Sequence, residues 1–482
     1  MNRCLRLLHR RSAPLEGPLR DQGRPRPPGT PRALLPAVLS LLLLGGCGGP
    51  PPGGTAGRTR QLTVWTLDLA PRFSPYMNRV IEAWQRRHPG VTVRWIDVPW
   101  SSVERKLLAA VFARTAPDLV NLNPPFAANL ASKGGLLDLA TVLPPGAASA
   151  YLPTVWQAGR QGNLQFAIPW YLTTRVTLAN TKLLRQAGYA APPRRWEDVP
   201  AYAEAVKRST GRYALFVTVV PEDSAELLES MVQMGVTLLD GRQRAAFNTP
   251  AGRRAFAFWS DLYRRGLLPR EVVSQGYRRA IELYQAGDLA QVASGPDFLR
   301  NLQTNAPGIA AVTAPFPPLA GAGGETNVAV MNLVVPRRSP MAAEATSFAL
   351  FLSDDANQLA FAREARVLPS ARGALRQLEQ DARGEQRAAA GSDGASGAAD
   401  AIAAGRTPAP DGQERLVRQA RAIAIGNLAQ GRVLVPATPG VKRLQAILYT
   451  QLQRAMLGQI GSDAALAEAE RQWNRYAEAR WP

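Results

Sequence analysis

Acidic, amide and aromatic side chains stand directly after strand-like segments of this 482-residue chain. Asp68, Trp100 and Asn123 follow three such segments near the start. In open α/β sheets the ligand lies beyond the carboxyl ends of the strands, so side chains at those ends can meet around one molecule. A carboxylate can accept two hydroxyl hydrogens, and a flat ring can cover an apolar face. Each residue also has a structural alternative: Asp68 as a helix N-cap, Trp100 as a lid over core and Asn123 as a turn residue.

The later part of the chain supplies more candidates of the same kinds. Trp170 and Tyr171 are adjacent aromatics after Pro169, and we expect at least one to face the ligand because two neighbours in a loop are hard to bury together. Glu222 and Asp223 follow a strand-like segment, where the alternative is favourable charge at a helix N-terminus. The remaining candidates are Asp297, Phe298 and Asn327.

Several classes of chemistry lack the residues that they need. The chain has two cysteines, Cys4 and Cys47, and His88 is the only histidine outside its first 46 residues. We therefore predict no disulfide, no catalytic thiol, no histidine-rich metal site and no Ser-His-Asp triad. We therefore expect no catalytic residues, no bound metal and no cofactor. The glycine motifs that bind phosphate are missing as well.

The apolar run at residues 33–47, ALLPAVLSLLLLGGC, is too short to cross a bilayer and ends on small residues and a cysteine. It resembles the lipobox of a bacterial lipoprotein. We interpret residues 1–46 as a signal peptide, Cys47 as the lipidated residue and residues 47–60, rich in Gly and Pro, as a spacer. The expected location is the periplasmic side of the cytoplasmic membrane, or the cell surface if there is one membrane.

The positive charge of the chain could indicate nucleic-acid binding, but the distribution of that charge argues against such binding. The net charge is +20, and removing residues 1–46, with eight arginines against Glu16 and Asp21, leaves +14. The arginines are scattered on polar helix faces, without a block of five or more basic residues. A basic surface facing anionic lipid headgroups is the simpler interpretation, so no nucleic-acid partner is expected.

Strand-like and helix-like segments alternate along the chain, which predicts an α/β fold with a largely parallel sheet. The first strands are expected at residues 61–67, 91–97 and 119–122, with a helix at 73–88 between the first two. Trp84, Trp95, Trp259 and Trp473 lie at core spacing on amphipathic segments. Residues 373–412 are rich in Ala, Gly, Arg, Asp and Gln, and we expect a disordered loop or a loosely helical insertion there.

These segments resemble the extracellular solute-binding proteins of ABC sugar importers, the group of maltose-binding and glycerol-3-phosphate-binding proteins. The most specific stretch is AIPWYLTTRVTLANTKLLRQAGYAAPPRRWEDV at residues 167–199. The other stretches are HPGVTV at 88–93, APDLVNLNPPFAANLASKGGLLDL at 116–139, residues 246–269, residues 284–298 and residues 342–370. The resemblance covers most of residues 61–482.

The resemblance implies a two-lobed periplasmic-binding-protein fold, with the ligand in a cleft between lobes joined by crossing hinge strands. Residues 61–175 and 332–370 would form lobe 1. Residues 176–331 and 371–482 would form lobe 2, with the insertion at 373–412.

The same resemblance implies a monomeric binding lipoprotein rather than an enzyme. Its partners would be a sugar or polyol, such as a disaccharide, oligosaccharide or glucosylated polyol, and the permease subunits that work with a separate ATPase. Three alternatives stay open: glycerol-3-phosphate, for which Arg175 could supply the cation; a polyamine, peptide or metal; and a glycosidase with paired carboxylates.

Overall fold

The computed structural model describes residues 60–481, apart from residues 101, 222, 392–409, 436, 437 and 439. Cys47, Glu222, the expected signal segment and residues 47–59 of the expected spacer lie outside the described residues, whereas Arg60 begins the first strand. The strands are β1 Arg60–Leu67, β2 Val91–Val98, β3 Leu119–Leu122, β4 Arg160–Gln161, β5 Leu164–Gln165, β6 Ile168–Thr174, β7 Val176–Asn180, β8 Gln291–Ser294, β9 Thr313–Phe316, β10 Thr326–Val334, β11 Leu368–Pro369 and β12 Gly431–Arg432.

Helices separate most of these strands, as the alternating pattern predicts. They are α1 Ser74–Arg87, α2 Val103–Phe112, α3 Pro124–Ser132, α4 Pro153–Ala158, α5 Thr181–Gln186, α6 Val199–Thr210, α7 Glu226–Gln233, α8 Pro250–Arg264, α9 Tyr277–Gln285, α10 Phe298–Asn305, α11 Pro307–Ala310, α12 Ala342–Leu352, α13 Asp355–Ala365, α14 Arg372–Gly391, α15 Pro410–Asn427, α16 Val441–Met456 and α17 Ser462–Glu478. Within the described residues, no helix is long and apolar enough to span a bilayer.

The first lobe is built on a seven-stranded sheet in the order β11-β6-β10-β3-β1-β2, with β12 pairing the start of β10. Apolar side chains alternate between the two faces of this sheet and form two cores, one around Trp84 and Phe348 and one around Phe126 and Phe166. β1 is parallel to both β2 and β3. The carboxyl ends of these three strands therefore lie at one edge, as the sequence predicts.

The second lobe is built on a three-stranded sheet in which β7 lies between β8 and β9, antiparallel to both. One face packs on a core that includes Trp259 and Trp473, and the other on a core around Tyr284. The strand expected directly before Glu222, at residues 213–220, is wrong. Within that segment only Tyr213 forms a β-bridge, with Leu289.

Two of the connections between the lobes run directly between strands of the two sheets. β6 of the first lobe continues into β7 of the second through the single residue Arg175, and β9 returns through a loop to β10. β10 lies antiparallel to β6, with Ala329 opposite Thr173. We use the name hinge for β6, Arg175 and the first half of β10, since these backbones carry the chain between the lobes.

Two sequence expectations need comment. Trp84, Trp259 and Trp473 are fully buried, whereas Trp95 is only partly buried and donates its indole N–H to Thr66 Oγ1 at 2.6 Å. Both ends of the expected insertion are helical. α14 packs against α13 and β11 of the first lobe, and α15 packs against β9 of the second, so the second lobe does not begin at residue 371.

Candidate functional site

Contacts between the lobes show that the carboxyl edge of the first sheet faces the second lobe. Glu104, in the first turn of α2, pairs with Lys442, in the first turn of α16, at 2.5 Å. Arg72, just after β1, lies within electrostatic reach of Asp297, just after β8. The segments that follow β1 and β2 therefore form one wall of a cleft, and the segment that follows β8 forms part of the opposite wall.

Asp68 and Trp100 form the exposed part of the first wall. Asp68 has a left-handed backbone (φ 49°), and its Oδ2 accepts a hydrogen bond from the Trp100 backbone N–H at 2.8 Å. Trp100 is 41% exposed, so it is not a lid buried on the core. A strained backbone beside an exposed indole at a strand end is typical of a binding site. Ligand contact by these two residues stays a prediction.

Asn123 and Asp223 each hold the start of a helix. For Asn123 the expected structural alternative was a turn residue, and for Asp223 it was charge at the N-terminus of the helix that follows it, α7. Asn123 is the N-cap of α3, and its Oδ1 accepts from Phe126 N–H at 2.9 Å. Asp223 Oδ2 accepts from Tyr277 N–H at 2.8 Å at the start of α9. Each side chain keeps polar atoms beyond these bonds, so ligand contact stays a prediction for both.

Asp297 is the unusual residue of the second wall. Its Oδ1 is buried and has no hydrogen-bond partner among the described residues. Burial raises the pKa of this carboxyl, and four arginines act against that rise. These are Arg366, Arg300, Arg72 and Arg421. Phe298, the next residue, is half-buried and packs on the core around Tyr284.

The expectation that Trp170 or Tyr171 faces the cleft is wrong. Both lie in β6, where Trp170 is 0% exposed and Tyr171 is 8% exposed. The register between β6 and β10 shifts at Met331, so Trp170 has no directly paired partner. Such a bulge lets two successive side chains turn to one face, and both rings pack on Phe361 at centroid distances of 5.0 and 5.4 Å.

A charged cluster at the hinge was not predicted. Arg175 Nη1 lies 3.0 Å from Glu226 Oε1 and 3.3 Å from Glu229 Oε2, and both glutamates belong to α7. Asn327 of β10 donates from Nδ2 to Glu229 Oε1 at 2.7 Å and accepts from Leu434 N–H through Oδ1. The sequence does show an arginine, Arg175, between two apolar strands. Its partners Glu226 and Glu229 lie about 50 residues further along the chain, so a local pattern does not reveal them.

The glutamate side chains are only 16% and 13% exposed, and this changes their protonation. Burial raises the pKa of Glu226 to about 7, against the opposing effect of Arg175 and with a smaller contribution from Glu229. Burial also raises the pKa of Glu229, again against Arg175. Burial therefore disfavours the charged form of both carboxyl groups, and the guanidinium is already engaged by the two of them.

A cavity of about 330 Å³ adjoins this cluster. It lies between the hinge and the second lobe, and its lining is mixed polar and aromatic. The lining includes Thr173, Thr174, Arg175, Thr177, Trp196, Glu226, Glu229, Gln233, Trp259, Gln291, Gly295 and Asn327. Among the described residues, no group of three or more His, Cys, Asp or Glu side chains is placed to hold a metal ion.

A comparison with known protein families finds a match for this chain. The model of the family described as "Bacterial extracellular solute-binding protein" matches residues 69–359, more than half of the chain. This range includes most of both lobes and every candidate site residue except Asp68 and Cys47.

A solved structure from Synechococcus sp. MITs9220, named a "putative oligosaccharide periplasmic-binding protein", is 62% identical. It aligns with 87% of this chain and 100% of its own, with a TM-score of 0.78. The same Synechococcus protein has also been solved in complex with zinc. A Streptomyces antibioticus protein named "Uncharacterized lipoprotein in oleD 5'region" is 27% identical over 357 residues, which cover 72% of this chain and 77% of that protein.

Proposed function

This chain belongs to the bacterial extracellular solute-binding proteins, and from that premise we propose that it binds a neutral sugar for an ABC importer. The ligand would be a disaccharide, an oligosaccharide or a glucosylated polyol. It would be held between the lobes and delivered to permease subunits driven by a separate ATPase. The 62% identical relative, named for oligosaccharide binding, supports this ligand class.

One observation carries the proposal: the two lobes face each other with different kinds of side chain. The first wall would offer exposed Trp100 and the Asp68 carboxylate, and the second wall would offer Asp297, with its buried unpartnered oxygen. A sugar needs a flat ring against its C–H face and acceptors for its hydroxyls. A ligand that touches both walls favours the closed arrangement, because only there are all contacts made together.

We place the protein outside the cytoplasmic membrane, anchored through a lipid on Cys47 and acting as a monomer. The extracellular family and the relative named as a lipoprotein support this placement. The test is metabolic labelling of growing cells with an alkyne fatty acid. The wild-type chain should carry label and fractionate with membranes, while Cys47→Ser should carry none. Labelled Cys47→Ser would contradict the anchor.

A second candidate is an anionic ligand such as glycerol-3-phosphate. The observation that favours it is the set of four arginines near Asp297. Arg300 is held by Glu414 at 2.8 Å, and Arg72 lies over the Phe73 ring at 5.0 Å, so these two already have partners. Arg175, which the sequence analysis named as the cation for a phosphate, is held by Glu226 and Glu229. These contacts favour the neutral sugar.

The test is a thermal-shift screen of the full chain in a detergent without a sugar headgroup. The panel holds maltose, trehalose, sucrose, glucosylglycerol, glycerol-3-phosphate and spermidine. A ligand at 100 times its Kd adds ~2.7 kcal/mol to the free energy of unfolding, which is a rise of a few degrees. A rise with a neutral sugar supports the proposal, and a rise only with glycerol-3-phosphate favours the second candidate. Hydrolysis of a bound sugar would revive the glycosidase alternative.

A further inference from the structure

The cavity at the hinge has the size and lining of a ligand pocket. Its volume of about 330 Å³ lies in the range of ~300–1,000 Å³ that small-molecule pockets occupy. Such pockets are apolar and aromatic surfaces with a few fixed polar groups. Here the aromatic surface comes from Trp196 and Trp259, which pack edge to face at 5.5 Å.

The polar groups of the cavity are held in place by their own partners. Arg175 bridges Glu226 and Glu229, and Asn327 of the hinge is bonded to Glu229. Gln233 accepts from the Trp196 indole N–H at 3.0 Å. Fixed carboxyl and amide groups of this kind recognise hydroxyls at low entropic cost, because little freedom is lost on binding.

Gln291 provides a second, independent observation. It lies in β8, is 5% exposed and lines the cavity, and its Oε1 has no hydrogen-bond partner among the described residues. Buried acceptors almost always have a partner, and leaving one unpaired destabilises the folded state. A hydroxyl donor inside the cavity would supply the missing bond.

Part of the cavity lining is exposed. Thr173 and Gly295 belong to the lining, and both are exposed. Thr173 lies on the hinge, and Gly295 is two residues before Asp297 of the second wall. A ligand held near Asp297 would reach the cavity past these two residues.

We propose that the hinge cavity is a subsite for one neutral, polyhydroxylated ring at the end of the ligand. The inference rests on the proposed sugar-binding function and names where one unit of that sugar is recognised. The Arg175 guanidinium is already paired with both carboxyl groups, so it is not available to bind an anion. The hydroxyls of the ring would donate to Gln291 Oε1 and to the carboxyl oxygens, and its C–H face would lie on Trp196.

The experiment is calorimetric titration of the full chain, in a detergent without a sugar headgroup, with maltose, trehalose and sucrose in separate runs. Gln291→Leu removes the unpartnered acceptor, and Ala293→Leu, on the same strand and also in the lining, fills the cavity. Gln165→Leu is the matched control, since Gln165 is equally buried in the first lobe but donates to Gly159 and Ala167 carbonyls. Circular dichroism and thermal unfolding confirm that each variant folds.

We expect Gln291→Leu and Ala293→Leu each to raise the Kd of the bound sugar at least tenfold. Gln291→Leu should not lower the unfolding temperature of the ligand-free chain, because it removes an orphaned acceptor. Gln165→Leu should lower that temperature and leave the Kd unchanged. Kd values within twofold of wild type for both cavity variants would overturn the subsite alone. A wild-type chain that binds none of the three sugars would overturn the sugar function and the subsite with it.

Discussion

The wall of the first lobe and the hinge cavity use polar side chains in opposite ways. Asp68 and Asn123, at the ends of strands, are bonded first to neighbouring backbone N–H groups. At the hinge, Arg175 is bonded to Glu226 and Glu229 of α7, and Glu229 is bonded in turn to Asn327 of β10. The first arrangement lies at strand ends and is at least partly exposed, so a change there should affect ligand affinity more than folding. The second is buried and long-range, so a change there should affect both.

The difference also decides what the sequence could predict. Strand ends and helix starts are local features, and β1, α1, β2 and β3 agree with the predicted segments to within two residues. The hinge cluster joins residues more than 50 positions apart, which no local pattern relates. The prediction that Trp170 or Tyr171 faces the ligand failed for a different reason. The bulge in β6 depends on the register between β6 and β10, which the sequence does not show.

The largest effect is expected from a comparison of two alanine variants, one at Trp170 in the core and one at Trp100 on the first wall. Trp170→Ala should lower the free energy of unfolding by about 3–5 kcal/mol, because it removes a fully buried indole that stacks on Phe361. Urea unfolding followed by circular dichroism measures the change. A loss below about 1 kcal/mol would show that Trp170 is not part of the core.

Trp100→Ala is the other half of that test. Since Trp100 is 41% exposed, its loss should change the free energy of unfolding by no more than ~0.5 kcal/mol. Loss of its ring against the sugar face should raise the Kd about tenfold, which corresponds to ~1.4 kcal/mol. Calorimetry measures both the affinity and the number of sites. Unchanged affinity would remove Trp100 from the binding wall.

The buried hinge cluster should make stability depend on pH. Burial raises the pKa of Glu226 to about 7 from an ordinary 4.5, so the folded state keeps a proton that the unfolded state releases between these values. Its contribution to stability is complete below pH 4.5 and is lost as the pH rises through about 7. In Glu226→Gln this loss cannot occur.

The unfolding temperature of Glu226→Gln minus that of wild type should therefore become more positive between about pH 5 and pH 8. Differential scanning fluorimetry across this range measures the difference. Glu197→Gln, at an exposed position, is the control and should give a flat difference. A difference that falls with pH would contradict the raised pKa of Glu226.

The smallest effect concerns the ion pair that joins the two lobes. Glu104→Gln breaks the contact with Lys442 and should weaken sugar binding about two- to fivefold, because an exposed pair contributes about 0.5–1 kcal/mol to the closed form. The effect should shrink at high salt. Glu468→Gln breaks the exposed contact with Arg471 inside α17 and should leave the affinity unchanged. Equal effects of both variants would show that the pair between lobes has no special role.

The most direct test of the account is calorimetric titration of the wild-type chain with each neutral sugar and each charged solute of the panel. The account predicts one saturable site for a neutral sugar, with a Kd near ~1 µM, or roughly −8 kcal/mol. Trp100→Ala and Gln291→Leu should each weaken that same site. Saturable binding of glycerol-3-phosphate or spermidine without binding of any neutral sugar would contradict it.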